Sequence, residues 1–400
     1  MQIPNFNTVA GNKLKPVSLS DSEVQLLILN THFDECKAYA ESLEQQGYQL
    51  QYKREIPSGN INTCNNLFYH FNNDKNSIFV FYDDSMHSVR IVCSPLIVYP
   101  LKNLMSKASV VPSFTQLSID FGMCYILQLA DGRFVLFDGG NKNQQDQERL
   151  FNFLTSKSGG EKPIIALWLF SHPDEDHITL ATDFMQQYCE QVIIESFSYN
   201  FPSVKNIDIN MDCTNTIKCI AEFEKTISKF FPFATVHKSQ TGQVYDFLGA
   251  QIEIIHSLND TFPNCYTSFN DVSSAWRIKI SNGKTILLLG DIGQGICKKL
   301  ANTFGEYLKS DILQVAHHGL IGGDIGLYKF IDPDICLWPT PHDRFLGTKP
   351  NQEYQWCLGE GGCDYNVWIR DENIKKRQHF THQTTVTISF CNDGTKIEQQ

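Results

Sequence analysis

Four apolar segments of this 400-residue chain end in side chains that can bind a metal ion or a proton, and this arrangement limits the folds open to the chain. The segment ends are Asp138-Gly139-Gly140, the run HPDEDH at 172–177, Gly290-Asp291, and His317-His318-Gly319. Loops at strand ends commonly present functional groups, whereas packing does not call for them there. Four occurrences of this kind indicate strand ends that converge on one site.

The run HPDEDH follows the apolar stretch IIALWLF at 164–170, which we predict to be a buried strand. It places two imidazoles and three carboxylates within six residues. Crowding of these groups raises the free energy of the folded chain unless a cation or hydrogen bonds balance their charge. Carboxylate oxygen and imidazole nitrogen together suit Zn²⁺, Mn²⁺ or Fe. Two other interpretations stay open: a solvated acidic loop with incidental histidines, and a helix-capping role for Asp291.

Residues 1–110 differ in pattern from the rest of the chain. Helical spacing of apolar residues predicts a helix at about 33–46, and three strands of a small antiparallel sheet follow at 67–71, 77–82 and 89–92. No cluster of potential catalytic groups occurs here. We therefore expect a small α+β appendage at 1–110, used in substrate recognition or in assembly of a homo-oligomer, and a separate domain at 111–400.

Residues 111–400 combine hairpins with helices. Asp131-Gly132 and Asn282-Gly283 each join two apolar runs and predict tight hairpin turns. Helical patterns occur at about 145–156, 178–188 and 214–230, and a further strand is predicted at 365–370 (YNVWIR). Strands interleaved with helices predict an α/β (α+β) sandwich in layers, with mixed sheets covered by helices.

Composition excludes several classes of protein. The formal net charge of −11 opposes broad binding to nucleic acid, although a local basic groove is compatible with it. Thirteen cysteines without CxxC pairs favour reduced thiols. The chain has no apolar run of membrane-spanning length and no secretory signal pattern at its start. We expect a cytoplasmic protein that does not bind membranes.

The ordered set DGG, HPDEDH, LLGD and HHG resembles the metallo-β-lactamase superfamily. It is similar, more narrowly, to the soluble nuclease-like domain of bacterial DNA-uptake channel proteins. That resemblance rests on 171–177, on Asn270 with Ser273 and Ser274, on 288–291 and on 317–319, and it spans about residues 113–400. It implies a four-layer αββα sandwich and a metal-dependent hydrolase, whereas residues 1–110 lie outside it.

The resemblance also implies roles for individual residues around one or two divalent ions, Zn²⁺ or Mn²⁺. It assigns His172 and Asp174 to a first ion, Asp176 and His177 to a second, and a bridging position to Asp291. One histidine of the pair 317–318 completes the second ion. We favour His318, which leaves His317 to face the substrate as an electrophile or general acid.

Supporting roles follow from the same resemblance. Asp138 is expected to hydrogen-bond a ligand or the HPDEDH loop, and Asp176 to orient the attacking water as well as to bind metal. Asn270, Ser273 and Ser274 either bind phosphate oxygens or are ordinary turn residues.

This chain departs from the family pattern at two points. The commonest pattern has histidine where Asp174 stands, and an aspartate makes the first ion site harder and less selective for zinc. Many members also have a further histidine before the bridging aspartate, and here only His237 and His256 lie in that interval. Whether one or two ions bind therefore stays open.

The sequence supports three functions. The one we prefer is hydrolysis of a phosphodiester, in the manner of a nuclease or phosphodiesterase, by a water that the metal activates. The expected substrate is a small or nucleotide-like molecule, because the net charge does not favour extended nucleic acid. The alternatives are hydrolysis of an ester, lactone or thioester, and a non-catalytic binding module on the same fold.

Overall fold

The computed structural model describes residues 2–7, 11–20, 22–59, 65–96, 102–103, 109–203, 214–261, 268–320, 322–339, 377–380, 384–391 and 394–399. Within these ranges no helix is long and apolar enough to cross a membrane. The strand predicted at 365–370 lies outside the described residues.

The described chain forms strands, in several consecutive runs, with α-helices between the runs. The strands are β1 (Asn12–Lys13), β2 (Val17–Ser20), β3 (Glu23–Leu29), β4 (Gln49–Ile56), β5 (Asn66–Asn72), β6 (Asn76–Asp83), β7 (Ser88–Pro95), β8 (Lys102–Asn103), β9 (Ser113–Gln116), β10 (Tyr125–Gln128), β11 (Phe134–Phe137), β12 (Ile164–Leu169), β13 (Ile193–Ile194), β14 (Ser196–Ser198), β15 (Thr235–His237), β16 (Val244–Phe247), β17 (Ala250–His256), β18 (Ala275–Ile280), β19 (Thr285–Leu288), β20 (Ile312–Gln314), β21 (Ile335–Trp338), β22 (Arg377–Phe380), β23 (Val386–Cys391) and β24 (Gly394–Gln399). The helices are α1 (Phe33–Gln45), α2 (Gln144–Lys157), α3 (Glu175–Tyr188), α4 (Thr214–Phe230), α5 (Gln294–Phe304) and α6 (Ile325–Ile331).

The first seven strands form the amino-terminal sheet, in the order β1-β3-β7-β6-β5-β4 with β2 beside β3. Its described strand pairs are antiparallel, and the predicted helix and all three predicted strands of this region are confirmed. The sheet is larger than expected, because β1, β2, β3 and β4 also belong to it. One face packs against α1 through a core that includes Leu43, Tyr69 and Ile91.

Two further sheets lie face to face. The first central sheet has the order β15-β14-β12-β11-β10-β9-β23-β24, with β13 beside β12, and the second has the order β22-β21-β20-β19-β18-β17-β16-β8. Both predicted hairpins are confirmed: β10 pairs with β11 and β18 with β19, antiparallel in each case. Side chains of both sheets, among them Phe137, Leu169, Trp276 and Leu337, form one buried cluster.

Helices cover the outer faces of both central sheets. Helices α2, α3 and α4 share a core with the first sheet, including Leu150, Phe184 and Phe223. Helices α5 and α6 share a core with the second sheet, and the amino-terminal sheet adds Phe68 and Phe79 to that same core. The predicted four-layer αββα sandwich is therefore confirmed. The amino-terminal sheet packs beside α5 on the outer face of the second central sheet, where Arg54 of β4 pairs with Glu253 of β17 and the backbone N–H of Gly59 donates to the carbonyl oxygen of Thr303.

The predicted division of the chain at residue 110 stays a prediction. Strand β8, which precedes that residue, pairs with β16 of the second central sheet. The described strands of the amino-terminal sheet end at Pro95.

Parallel pairing explains how distant segments reach one place. Strand β11 runs parallel to β12 in the first central sheet, and β19 runs parallel to β20 in the second. The carboxyl ends of parallel neighbours lie at the same edge of a sheet. Those four strands precede Asp138, the HPDEDH run, Asp291 and the histidine pair, in that order.

Candidate metal centre

Four of the predicted ligands form one close group: Asp176, His177, Asp291 and His318. One ligand atom from each lies within 4.8 Å of all the others. Nε2 of His318 is 3.1 Å from a carboxylate oxygen of Asp176 and 3.1 Å from one of Asp291. Nε2 of His177 is 3.3 Å from Asp291 and 3.8 Å from Asp176.

These spacings fit a four-coordinate ion. Ligand atoms about 2.0–2.1 Å from a tetrahedral Zn²⁺ lie about 3.3–3.4 Å from one another, the length of a tetrahedron edge. The four separations, 3.1, 3.1, 3.3 and 3.8 Å, lie around that length, with His318 and His177 facing different oxygens of Asp176. Two imidazole nitrogens and two carboxylate oxygens suit Zn²⁺ or Mn²⁺.

The tautomers of both imidazoles point to the same conclusion. Nδ1 of His177 donates to the carboxylate of Asp138 at 2.9 Å, and Nδ1 of His318 donates to the carbonyl oxygen of Pro339 at 2.7 Å. Both partners can only accept, so a neutral ring has its lone pair on Nε2. That lone pair faces the carboxylates of Asp176 and Asp291. Lone pairs and carboxylate oxygens repel, so a proton or a cation must lie between them.

Helix α3 supplies two members of the group. It begins at Glu175, three residues earlier than predicted, because the last three residues of HPDEDH form its first turn after Asp174 as the N-cap. Glu175 and Asp176 lie in that turn, where the helix dipole stabilises negative charge. The backbone of Gly139 donates to the carbonyl oxygen of His177 at 2.8 Å. A Cβ at Gly139 would lie 2.4 Å from that of Ala181, so glycine is what lets α3 approach the strand end.

Asp138 and Ser171 hold His177 in place. Asp138 is fully buried and has a left-handed backbone, with φ of 53°. Its carboxylate accepts from the backbone N–H of Ser171 at 2.7 Å, from the Ser171 hydroxyl at 2.7 Å and from His177 Nδ1. Asp138 thus hydrogen-bonds His177, one of the predicted ligands, and its role in orienting that ligand stays a prediction.

His172 and Asp174 lie beside the four-residue group, with His172 Nε2 3.5 Å from a carboxylate oxygen of Asp174. The hydroxyl oxygens of Ser171 and Ser273 lie 3.0 and 3.2 Å from His172 Nδ1. Because the Ser171 hydroxyl donates its proton to Asp138, it accepts from Nδ1–H of a neutral His172. Nε2 of His172 is buried, and no described group hydrogen-bonds it. A second ion at His172 and Asp174 stays a prediction.

Asp291 sits at the centre of the group because of the turn that precedes it. Gly290 has φ of +57°, and a Cβ there would lie 3.0 Å from the side chain of Ser273. The side-chain carbonyl of Gln314 accepts from the backbone N–H groups of Leu289 and Gly290 at 2.7 and 2.8 Å. Asp291 is buried, and its Oδ1 has no hydrogen-bond partner among the described residues. An unpartnered buried carboxylate oxygen is what a metal ligand needs.

The two adjacent histidines have different positions. Both have left-handed backbones, with φ of 50° at His317 and 54° at His318. His318 is buried in the group, and the ring of Phe121 stacks on it at 5.5 Å. His317 is at the rim, with Nε2 4.0 Å from Asp291 and 3.5 Å from Nδ2 of Asn270.

The charges of the group depend on each other. Burial opposes ionisation, but His318 and His177 lower the pKa of Asp291 well below its ordinary value. Burial also opposes ionisation of Asp176, and the same two histidines lower its pKa. Burial also opposes the charged forms of His177 and His318. Even so, Asp291 and Asp176 raise the pKa of His177 well above its usual range and the pKa of His318 to about 10. A bound divalent cation takes the place of those protons.

The remaining candidates lie around the group. Ser273 is fully buried, and its hydroxyl contacts His172 and accepts from the backbone N–H of Asp291 at 3.2 Å. Ser274 is also fully buried. These positions favour internal support over contact with a substrate, whereas Asn270 is at the rim.

Neither His237 nor His256 belongs to the four-residue group. His237 ends β15, and its ring lies 5.8 Å from that of Tyr245. His256 ends β17, and its Nδ1 contacts the carbonyl oxygen of Ser273 at 2.8 Å. Burial lowers the pKa of each to about 4, so both are neutral at physiological pH.

Sequence reasoning gave no role to Ser171, Gln314 or Phe121. Gln314 could have been found, since it is a polar residue in the apolar strand ILQVA directly before the histidine pair. Ser171 is inside the matching motif but has no signal of its own. Phe121 lies in a loop far from the other site residues in sequence, so its contact with His318 depends on the fold.

No protein-family model matches the chain. No curated protein matches it either. Solved structures do match, among them the metallo-beta-lactamase fold protein YhfI from Bacillus subtilis, at 12% identity and a TM-score of 0.38 over 67% of this chain and 96% of YhfI. Unliganded yeast PDE1 matches at 10% identity and a TM-score of 0.40, over 68% of this chain and 98% of PDE1. A long-form RNase Z from yeast matches at 11% identity and a TM-score of 0.40, over 73% of this chain and 50% of that protein.

Proposed function

We propose that this chain is a metal-dependent hydrolase that cleaves a phosphodiester bond in a small or nucleotide-like substrate. One observation carries the proposal: Asp176, His177, Asp291 and His318 direct four ligand atoms to one point, within 4.8 Å of one another. Three of the four side chains are almost fully buried. A cluster of this kind is expensive to keep in a protein unless a cation binds it.

Two histidines and two aspartates favour Zn²⁺ or Mn²⁺ at this point. When bound, such an ion lowers the pKa of a water molecule and stabilises negative charge on the reacting group. His172 and Asp174 would hold a second ion beside the first, with Asp291 between them. The unpartnered Nε2 of His172 and Oδ1 of Asp291 support this arrangement.

The chain's own groups have distinct tasks at the opening of the site. Asp176 is the most exposed member of the group, with 18% of its side chain accessible, so its carboxylate can accept a hydrogen bond from the attacking water and orient it. His317 and Asn270 at the rim contact the substrate. Burial lowers the pKa of His317, so its neutral ring can donate one hydrogen bond to an oxygen of the substrate.

The choice of a phosphodiester rests on the motif resemblance at 171–177, 270–274, 288–291 and 317–319. The acidic net charge favours a compact substrate over extended nucleic acid. Fold alone does not identify the bond that is cleaved.

The test is a metal analysis of the purified full-length chain followed by a substrate comparison. Rates on bis(4-nitrophenyl) phosphate and 4-nitrophenyl acetate are measured with Mn²⁺ or Zn²⁺, and again after chelation. Faster metal-dependent release from the phosphodiester supports the proposal. Release from the acetate alone indicates a carboxylic ester, lactone or thioester as substrate, and failure to bind metal indicates a non-catalytic binding module.

A further inference from the structure

A buried contact joins the amino-terminal sheet to a turn of the sandwich. Arg90 in β7 forms an ion pair with Asp260, and at most 9% of either side chain is exposed. Gln25 in β3 donates to the carbonyl oxygen of Asn259 at 3.2 Å. Asp260 also accepts from the backbone N–H of Ser257 at 2.9 Å, so the same carboxylate closes the turn at 257–260. The amino-terminal sheet thus holds this turn at two points.

The turn begins directly after His256. Burial lowers the pKa of His256 to about 4, which leaves the ring neutral. Its Nδ1 lies 2.8 Å from the carbonyl oxygen of Ser273, which can only accept, so Nδ1 carries the proton and donates. A buried donor that satisfies a buried carbonyl fixes the backbone at that point, because breaking the bond leaves both groups unpaired.

Ser273 and its neighbour then contact three segments of the candidate metal centre. The Ser273 hydroxyl lies 3.2 Å from Nδ1 of His172 and accepts from the backbone N–H of Asp291 at 3.2 Å. The backbone N–H of Ser274 donates to the carbonyl oxygen of Ser171 at 2.8 Å. A shift of the Ser273 backbone would therefore move groups that orient both His172 and Asp291.

We propose that the amino-terminal sheet positions the metal centre, acting through the turn at 257–260 and through His256 as a positioning residue. The metal part of this inference rests on the proposed function. Hydrogen bonds or an ion pair between buried groups join the sheet to the turn and His256 to Ser273, and the backbone joins the turn to His256. His256 lies outside the group of four clustered ligands, and its Nδ1 contacts the carbonyl oxygen of Ser273.

The first test measures amide hydrogen exchange in the metal-free full-length protein, in peptides that span 270–276. His256→Leu removes the donor, whereas His256→Asn keeps a side-chain N–H. His237→Leu is the matched control, since His237 is as buried as His256 and also ends a strand. We expect exchange at 273–274 to be about tenfold faster in His256→Leu, and near wild type in the other two variants.

Two milder variants test the amino-terminal end of the same chain of contacts. Gln25→Leu removes the contact to Asn259, and Arg90→Lys weakens the pair with Asp260 while keeping its charge. Both should accelerate exchange at 257–261 and also at 273–274. Unchanged exchange at 273–274 in His256→Leu, or in both amino-terminal variants, would overturn the proposal.

A second test measures the affinity of the same proteins for Mn²⁺ and Zn²⁺ by titration. Loss of an orienting contact behind a ligand typically weakens metal binding about 10–100-fold. We expect about a tenfold loss in His256→Leu, with recovery in His256→Asn. Faster exchange without weaker metal binding would show that the contacts do not position the metal centre. A wild-type protein that binds no metal would refute the proposed function, and the exchange comparison would still decide whether the sheet holds the Ser273 segment.

Discussion

Two clusters of largely buried carboxylates lie in this molecule, and their negative charge is balanced differently. At the boundary of the amino-terminal sheet, each of three acids has a basic partner: Asp260 has Arg90, Glu253 has Arg54, and Glu23 has Lys238. In the metal centre, the ion-pair partners described for Asp138, Asp176 and Asp291 are histidines.

The difference lies in the permanence of the charge. Arginine and lysine partners bring their own positive charge. The protein alone therefore balances the carboxylates of the boundary cluster, and no metal ion is needed there. Histidine can release its proton and then present a lone pair, which is what a metal ligand must do. Buried carboxylates therefore serve architecture in one cluster and a candidate ion site in the other, and the identity of the basic partner distinguishes the two.

The largest effect is expected from Asp291→Ala. This carboxylate is close to both His177 and His318, and its loss removes the central charge of the group. Metal content and turnover should fall by more than about 100-fold, beyond the usual effect of a residue that only orients a ligand. Metal analysis and rate measurements test this, with circular dichroism as a check on folding. An Asp291→Ala protein with full metal content and normal turnover would contradict the assignment of Asp291 as a ligand.

In the boundary cluster the expected effect is on stability. Arg90→Met leaves Asp260 buried without its partner, which should cost about 3–5 kcal/mol in the free energy of unfolding. The control is Lys284→Met, whose partner is Asp311 and whose side chain is 37% exposed. An exposed pair contributes about 1 kcal/mol or less, so this variant should unfold at nearly the same urea concentration as the wild type. Equal destabilisation of both variants would mean that burial does not set the strength of these pairs.

A smaller effect is expected at Asp138, which touches a ligand but lies outside the close group. Asp138→Ala removes the acceptor for Nδ1 of His177, and affinity for Mn²⁺ or Zn²⁺ should fall about 10–100-fold. Asp146→Ala is the matched control: Asp146 is also buried, but it pairs with Arg149 on α2. Its metal affinity should equal that of the wild type. Equal losses in the two variants would point to general destabilisation and not to orientation of His177.

Turn residues and the spacing of apolar residues were enough to predict several hairpins and helices correctly. Asp131-Gly132 and Asn282-Gly283 set their hairpins through turn chemistry alone, and helical spacing located α1, α2 and α4 within a residue or two. The grouping of Asp176, His177, Asp291 and His318 was expected from the motif resemblance, and in the fold parallel strands bring the preceding strand ends to one edge.

What the sequence did not reveal depends on contacts between distant residues. Arg90 and Asp260 are 170 positions apart, and neither has a neighbour that marks it as half of a buried pair. His256 was a candidate ligand because it ends an apolar strand. Only the fold shows that its Nδ1 faces Ser273, one layer behind the ligands.

The smallest effect we predict is a dependence of stability on pH in the metal-free protein. Burial opposes the charged form of His318, but Asp291 and Asp176 raise its pKa to about 10. The unfolded chain has the ordinary value of about 6.5, so the folded state binds the proton more tightly. This contribution is complete below pH about 6.5 and is lost as pH rises toward about 10. From pH 7 to pH 8 the free energy of unfolding should fall by about 1 kcal/mol on account of this group.

Urea unfolding at the two pH values measures the change, and His318→Gln should lack this share of it. The metal-bound protein should behave in the opposite way, because an ion binds the neutral imidazole and its affinity rises as protons are removed. Stability that does not change with pH in the metal-free wild type would show that the carboxylates do not hold His318 protonated, and the contrast between the two clusters would then lose its electrostatic basis.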